Sequence, residues 1–258
     1  MLLKIISVKH FLRQLNSSAF RLNDDVPLVV PEVNPEDVKN HNGIIANPNC
    51  STIIALTALN ELNKYAKIKR MVVSTFQAVS GAGVNGIKEL DQQISDINNG
   101  NPVEIKTFAH QIAYNVIPQI GDFDEMGYSQ EEMKMQNEGR KIFHNPDLKV
   151  NCTCVRVPVY RSHSESITIE TEKEISPEKA KELLANADGV KLVDDLANKK
   201  YPMPLDTSNQ DLIYVGRVRK DISQDNSLVL WCCGDQVRKG AATNAVQIAE
   251  VLVKENLI

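Results

Sequence analysis

Cys50 is the residue from which chemistry can be built. It follows the loop signal Asn47-Pro48-Asn49 and opens a run in which Ile53, Leu56, Leu59, Leu62 and Ala66 recur at helical spacing. That places the thiol at or beside a helix N-terminus, where unpaired backbone N–H groups and the helix dipole favour an anion. A free thiol titrates near about 8.5, and this position is one of the ways to lower it. The sequence therefore offers a thiolate nucleophile; the alternative is a buried cysteine acting as a small apolar side chain. A thiolate needs a proton shuttle. Arg156-Val-Pro-Val-Tyr-Arg-Ser-His163 sets a histidine seven residues after an arginine on an extended segment, with a solvated surface pair as the other reading. Arg21, Lys134 and Arg156 are cations among loops or at element ends, the usual places for recognising carboxylate or phosphate. Spacing alone does not separate them from the other basic residues.

Other patterns carry less. Gly81-x-Gly83-x-x-Gly86 follows a strand and opens a helix, which is formally the dinucleotide-binding fingerprint. The fingerprint also expects a second strand ending in an acidic residue about 20 positions on. Here the helix runs into Asn98-Asn-Gly-Asn-Pro102, so a tight turn beside the reactive centre is the better reading. Cys152-x-Cys154 and Cys232-Cys233 lack further ligands at metal spacing and read as strand packing.

The elements that must position these residues are a mixture of strands and helices. Val26–Val30 and Ile44–Ala46 are expected to be strands, then comes the Cys50 helix, then a strand from Ile68 to Phe76. A helix carrying Ile87, Leu90, Ile94 and Ile97 follows, closed by Asn99-Gly100. Ser129 with Glu132 three residues on marks a helix start for 129–145. Strands are expected at Val150–Val159, Ser166–Thr171, Leu212–Val218 and Ser227–Cys233. Helices are expected from Ser176-Pro177 to about Asn186 and from Ala241 to Leu257. The opening Met1–Leu15 is basic and amphipathic and reads as a short surface helix or a non-native start, with a transit peptide as the alternative. The class is α/β, without repeats.

Composition limits the function. The 258 residues are 42% hydrophobic, enough for a full core, and a net charge of −4 gives no basic field for nucleic acid. Five cysteines without framework spacing fit a reducing compartment. No apolar run approaches the roughly 18–20 residues that span a bilayer. The expectation is a cytoplasmic protein without membrane or nucleic-acid partners.

Several segments together resemble aspartate-semialdehyde dehydrogenase of the bacterial type. These are Ser17-Ser-Ala-Phe-Arg21, Asp25-Val-Pro-Leu-Val-Val-Pro-Glu-Val33, Ala46-Asn-Pro-Asn-Cys-Ser-Thr52 and Ser74-Thr-Phe-Gln-Ala-Val-Ser-Gly-Ala-Gly83. Further on come Glu131-Glu-Met-Lys134, Cys154-Val-Arg-Val-Pro158, His163-Ser-Glu-Ser166, Tyr214-Val-Gly-Arg-Val-Arg-Lys-Asp221 and Lys239-Gly-Ala-Ala242. The likeness runs in unbroken order from residue 16 to 258. It implies reduction of aspartyl phosphate to aspartate semialdehyde with NADPH and release of phosphate, a step of lysine, threonine and methionine supply. Cys50 would form a thioacyl intermediate, Gln77 would orient it and His163 would handle protons. Arg156 and Glu131 would hold the amino-acid end, while Arg21, Asn49 and Lys134 would bind phosphate. Ser80, Gly81 and Gln236 would touch NADP, and the chain would form a homodimer. Acyl-phosphate reductases of arginine biosynthesis or glycolysis share the Cys/His logic but fit these segments less well.

The same likeness implies a departure. The family begins with a strand and a glycine-rich phosphate loop, whereas the only glycine before Cys50 is Gly43. Residues 1–49 are therefore expected to be the remnant of a dinucleotide-binding domain. Residues 50–235 would form the catalytic and dimerisation domain, and 236–258 a helix returning to the first unit. Turnover of this chain is in doubt on that reading, and the alternative function is a non-catalytic remnant that pairs through the dimerisation surface.

Overall fold

The computed structural model describes residues 13–15 and 18–258. The helix expected over Met1–Leu15 lies mostly outside them, as does Ser17; where it does not, Arg13–Leu15 is a strand, β1, paired in parallel with β2, Ile44–Ala46. A β-branched and apolar β2 with its partner in register leaves no place for a helix there.

The central element is α1, Cys50–Ala66. Every residue from Ser51 to Asn60 is buried, so the helix is enclosed rather than amphipathic. One side packs on a six-stranded mixed sheet. Its strands are β3 (Ile68–Gln77), β4 (Lys149–Arg156), β5 (His163–Thr171), β6 (Val190–Leu192), β7 (Ile213–Lys220) and β8 (Ser227–Gly234), in the order β4-β3-β5-β8-β7-β6. The other side meets the 26–33 segment, where Asn60 Nδ2 donates to Glu32 O at 2.6 Å.

Side chains alternate across a strand, so register decides which residues lie under α1. Ile53, Ile54, Leu56, Leu59 and Leu62 share one core with Met71, Val73, Ile167, Ile169 and Leu230. Continuing the same face towards one end of the sheet gives Thr75, Cys154, Glu165 and Cys232, then Gln77, Arg156, His163 and Gly234. The apolar floor thus becomes polar along the strands, and the polar end lies where α1 begins.

The remaining helices are α2 (Gly83–Asn98), α3 (Gln130–Ile142), α4 (Pro177–Ala185), the short α5 (Pro204–Thr207) and α6 (Thr243–Lys254). Ser129 and Glu132 form the full capping box expected for α3. Several expectations are corrected. Val26–Val30 is not a strand but extended chain with a single bridge, Leu28 to Ala46, because Pro27 and Pro31 remove donors from any ladder. β5 begins three residues before Ser166, at His163, and β4 ends at Arg156 because Pro158 cannot continue the ladder. α6 starts at Thr243 rather than Ala241, since Arg238–Ala242 winds as a π-helical turn. β6 and α5 carried no periodic signal. α6 buries Ile248 and Leu252 against Val29, Val38 and Ile45. No helix among the described residues is long and apolar enough to cross a membrane.

Candidate active site

Cys50 is the first residue of α1, and Asn49 is its cap. The Asn49 side-chain oxygen accepts from Ser51 N at 3.1 Å and from Thr52 N at 3.4 Å. The same side chain donates through Nδ2 to Glu131 Oε1 at 2.9 Å, and the Asn49 backbone N–H donates to Glu138 Oε2 at 2.7 Å. Two buried carboxylates on α3 therefore fix the turn that presents the thiol.

Gln77, the last residue of β3, closes this side. Its Nε2 donates to Ser51 Oγ at 2.9 Å and lies 3.4 Å from Glu131 Oε1. Burial alone would raise the Glu131 carboxyl, but Lys134, Asn49 and Gln77 outweigh it and hold the group below its ordinary value. Lys134 Nζ reaches Glu131 Oε2 at 2.9 Å. Glu138 goes the other way: burial raises it despite the Arg21 guanidinium at 3.0 Å. Arg21 and Lys134 line one surface cleft of about 460 Å³ with Glu138, Tyr128 and Asn137, whereas Asn49 is spent on the cap and on Glu131.

Arg156 and His163 are joined through Ala78. Arg156 Nη1 donates to Ala78 O at 2.7 Å, and Ala78 N donates to His163 Nδ1 at 3.0 Å. Burial first, and Arg156 second, push the His163 imidazole well below its usual range, so it is neutral. A lone pair at Nδ1 that accepts a backbone proton leaves the ring hydrogen on Nε2. That Nε2–H is fully buried and has no partner among the described residues. The tautomer makes His163 a hydrogen-bond donor toward the site. Ser162, just before it, sits at φ +73, the left-handed region that costs a serine energy; Gln236 Oε1 at 2.9 Å and Thr207 Oγ1 at 2.6 Å hold it there.

The 81–86 glycines form the tight turn expected. A β-carbon on Gly81 would stand 2.7 Å from Arg156 Nη1 and 3.2 Å from His163 Cε1, so a side chain there would displace the tip of the arginine. Ser80 Oγ and Gln236 Nε2 are hydrogen-bonded. Gly240 completes the ring: a β-carbon there would meet Cys50 Cβ at 3.0 Å and Gln236 Cβ at 3.4 Å. The fold thus gathers Cys50, Gln77, Ser80, Gly81, Glu131, Arg156, His163 and Gln236 at one end of the sheet. Asn49 supports it from the cap of α1 and Lys134 from α3, and Arg21 lies behind Glu138.

One expectation is overturned. The Cys50 thiol is not lowered at rest but pushed up to about 12, because burial and the Glu131 carboxylate outweigh Arg156 and the Ser51 N–H. Part of the residue's surface stays open. Helix position was legible in the sequence; depth of burial and the carboxylate at Asn49 were not.

Two site features were missed. Glu165 follows His163 by two residues on the same strand face and is wholly buried, its oxygens without partners among the described residues. Burial, then Cys154 and Glu131, raises it well above the usual carboxylate range, so it is a neutral acid. A charged residue in the alternating apolar phase of β5 was the available signal. Lys239, inside the quoted Lys-Gly-Ala-Ala segment, is fully buried beside Gly240.

A profile of the semialdehyde dehydrogenase dimerisation domain matches residues 59–239. Aspartate-semialdehyde dehydrogenase of Aquifex aeolicus is 56% identical over 246 residues, covering 94% of this chain and 72% of the relative. The chain belongs to the aspartate-semialdehyde dehydrogenases. The crystal structure of the family's enzyme II from Vibrio cholerae, complexed with ASA, superposes with a TM-score of 0.92 at 48% identity, covering 94% of this chain and 72% of that one. The family's Candida albicans enzyme, solved with NADP, is more distant, with a TM-score of 0.72 and 25% identity over 96% of this chain and 72% of that one. The family is that of an oxidoreductase of amino-acid biosynthesis, and the mixed sheet with its α1 cap is its catalytic and dimerisation fold.

Proposed function

We propose that the chain takes the acyl group of aspartyl phosphate onto Cys50, releases phosphate, and yields aspartate semialdehyde with NADPH as reductant. The observation that supports this best is that Arg156, whose charge acts on the Cys50 thiol, lies beside His163 Nε2–H, a buried donor without a partner among the described residues. A carbonyl under attack by sulfur becomes an oxyanion, and a preplaced N–H aimed at it lowers the barrier. Arg156 holds the substrate carboxylate, and Glu131, ionised, takes its ammonium. Arg21 and Lys134, in the adjoining cleft, receive the phosphate.

With the thiol at about 12, the resting sulfur is protonated. Burying the cationic end of the substrate against Glu131 removes part of the carboxylate's opposition to the thiolate. Arg156 and the Ser51 N–H then favour the anion, and Gln77 keeps the first turn of α1 in place. Sulfur attacks the acyl carbon, the carbon–oxygen bond to phosphate breaks, and phosphate leaves into the Arg21–Lys134 cleft carrying the proton given up by the thiol. The thioester is electron-poor enough to accept hydride. Ser80, Gly81 and Gln236 would hold the nicotinamide end of NADPH, which when bound would supply that hydride; the bare backbone at Gly81 fits close approach of a flat ring.

The face of the sheet away from α1 carries half-buried Phe76 and Trp231, their rings 5.5 Å apart, and we assign to it the pairing of two copies in a homodimer. The reaction reading is tested by NADP reduction with aspartate semialdehyde and phosphate. Turnover that requires phosphate and vanishes in Cys50→Ala is expected; equal turnover in Cys50→Ala would overturn the role of the thiol.

A further inference from the structure

Lys239 is the largest wholly buried side chain of the molecule's described residues, and no step above uses it. Burying an ammonium is costly unless every proton finds an acceptor and a countercharge is near. Here all three protons do. Lys239 Nζ donates to Glu32 Oε2 at 2.5 Å, to Gln247 Oε1 at 2.7 Å and to Asn244 Oδ1 at 3.0 Å. Gln247 Nε2 turns back to Glu32 Oε1 at 3.0 Å. These groups come from the 26–33 loop and, about two hundred residues later, from the turn before α6 and α6 itself.

The network leads to Cys50 by two routes. Asn244 Nδ2 donates to Asn47 Oδ1 at 2.7 Å, and Asn47 Nδ2 donates to Ala241 O at 3.2 Å. Asn47 stands three residues before Cys50, in the loop that delivers it. The second route is contact, since Lys239 lies inside the π-helical turn Arg238–Ala242 and its neighbour Gly240 abuts the Cys50 β-carbon. π-helical turns are rare and recur at functional sites because they re-aim the backbone. Asp235 anchors the turn's start, its Oδ1 accepting from Val237 N at 2.9 Å and from Arg238 N at 3.1 Å.

We propose that Lys239 is a positioning residue for the Cys50 nucleophile. Its ammonium fixes the π-helical turn and Asn244, which seat the Asn47–Cys50 loop through partners separate from those on α3. Asn49, Glu131 and Glu138 hold the same loop from the α3 side, so the sulfur is clamped between two networks. The inference rests on the reading of Cys50 as nucleophile but is tested without turnover. Released from the clamp, Cys50 drifts from the Ser51 N–H and Arg156, the two groups that favour its anion.

The test is the rate of Cys50 alkylation by iodoacetamide across pH, followed by mass spectrometry of the labelled peptide, with thermal stability measured alongside. Lys239→Met/Glu32→Gln removes both charges and strands neither. Asn244→Ala cuts the link to Asn47 and leaves the ion pair intact. Leu184→Ala, in the core beneath α4 and outside the Lys239 network, is a destabilised control. Labelling in both test variants is expected to slow at least fivefold at fixed pH and to need a higher pH, while Leu184→Ala loses stability and labels as the parent. Should the double variant fail to fold, Asn244→Ala alone decides. Unchanged or faster labelling of the folded test variants, whatever their melting temperature, overturns the assignment. Because alkylation needs no substrate, a chain that never reduces NADP still reports on Lys239, and the two failures are distinguishable.

Discussion

Replacing Asn49 by alanine removes two different things from the site, and their sizes are separable. The first is the cap: the side-chain oxygen that satisfies the N–H groups of Ser51 and Thr52. Loss of such a cap costs about 1 kcal/mol. The second is the 2.9 Å bond to Glu131, a buried carboxylate that loses one of its donors. Hydrogen bonds to charged groups contribute about 1.5–3 kcal/mol. The two together predict a loss of about 2.5–4 kcal/mol for Asn49→Ala. Asn49→Ser retains a capping oxygen but cannot reach Glu131, so it should recover about 1 kcal/mol of that loss. Urea unfolding at neutral pH, with the slope against denaturant checked for constancy, measures both. A loss below about 1 kcal/mol for alanine, or identical values for serine and alanine, would refute the division of labour drawn for this residue.

Further outcomes follow from the same geometry. Gly81→Ala drives a β-carbon toward Arg156 Nη1 at 2.7 Å, so kcat/KM should fall by at least tenfold while the melting temperature changes little; a normal rate would contradict the packing. Arg156→Lys keeps charge but loses the fork that reaches Ala78 O and a substrate carboxylate together, predicting a loss of about 10- to 100-fold in kcat/KM. Glu165 is neutral when folded and ionises near about 4.3 when unfolded. Its folded value is raised, so its stabilising contribution is full below about 4.3 and is lost as pH rises toward the folded value, by about 1.4 kcal/mol per pH unit. Glu165→Gln removes that loss, so its stability relative to the parent should improve between pH 5 and pH 8 in paired denaturant titrations; a difference that is flat with pH would mean the carboxyl is ionised in place.

The sequence made some of this legible and hid the rest for physical reasons. α1 and α3 were readable because local rules dictate them: apolar spacing after Asn-Pro-Asn, and a Ser/Glu capping box. The polar end of the sheet was half legible, since alternation in β5 shows that His163 and Glu165 share a face but not that α1 seals it. The sign of the Cys50 shift was hidden, because it depends first on burial and then on a carboxylate 81 residues away in the chain, brought in by Asn49. Val26–Val30 misled because its β-branched residues favour a strand, whereas the flanking prolines deny it a ladder. Lys239 was illegible as a buried residue, for its countercharge Glu32 lies 207 positions earlier and no local pattern joins them.

The central claim is that Cys50 carries the acyl group. The most direct measurement mixes the chain with aspartyl phosphate in the absence of NADPH and follows phosphate release on the first turnover, with mass spectrometry of the quenched protein. The account predicts a burst of one phosphate per chain and an aspartyl adduct on the Cys50 peptide, both absent in Cys50→Ala. Phosphate released without an adduct, or an adduct on another residue, would contradict it.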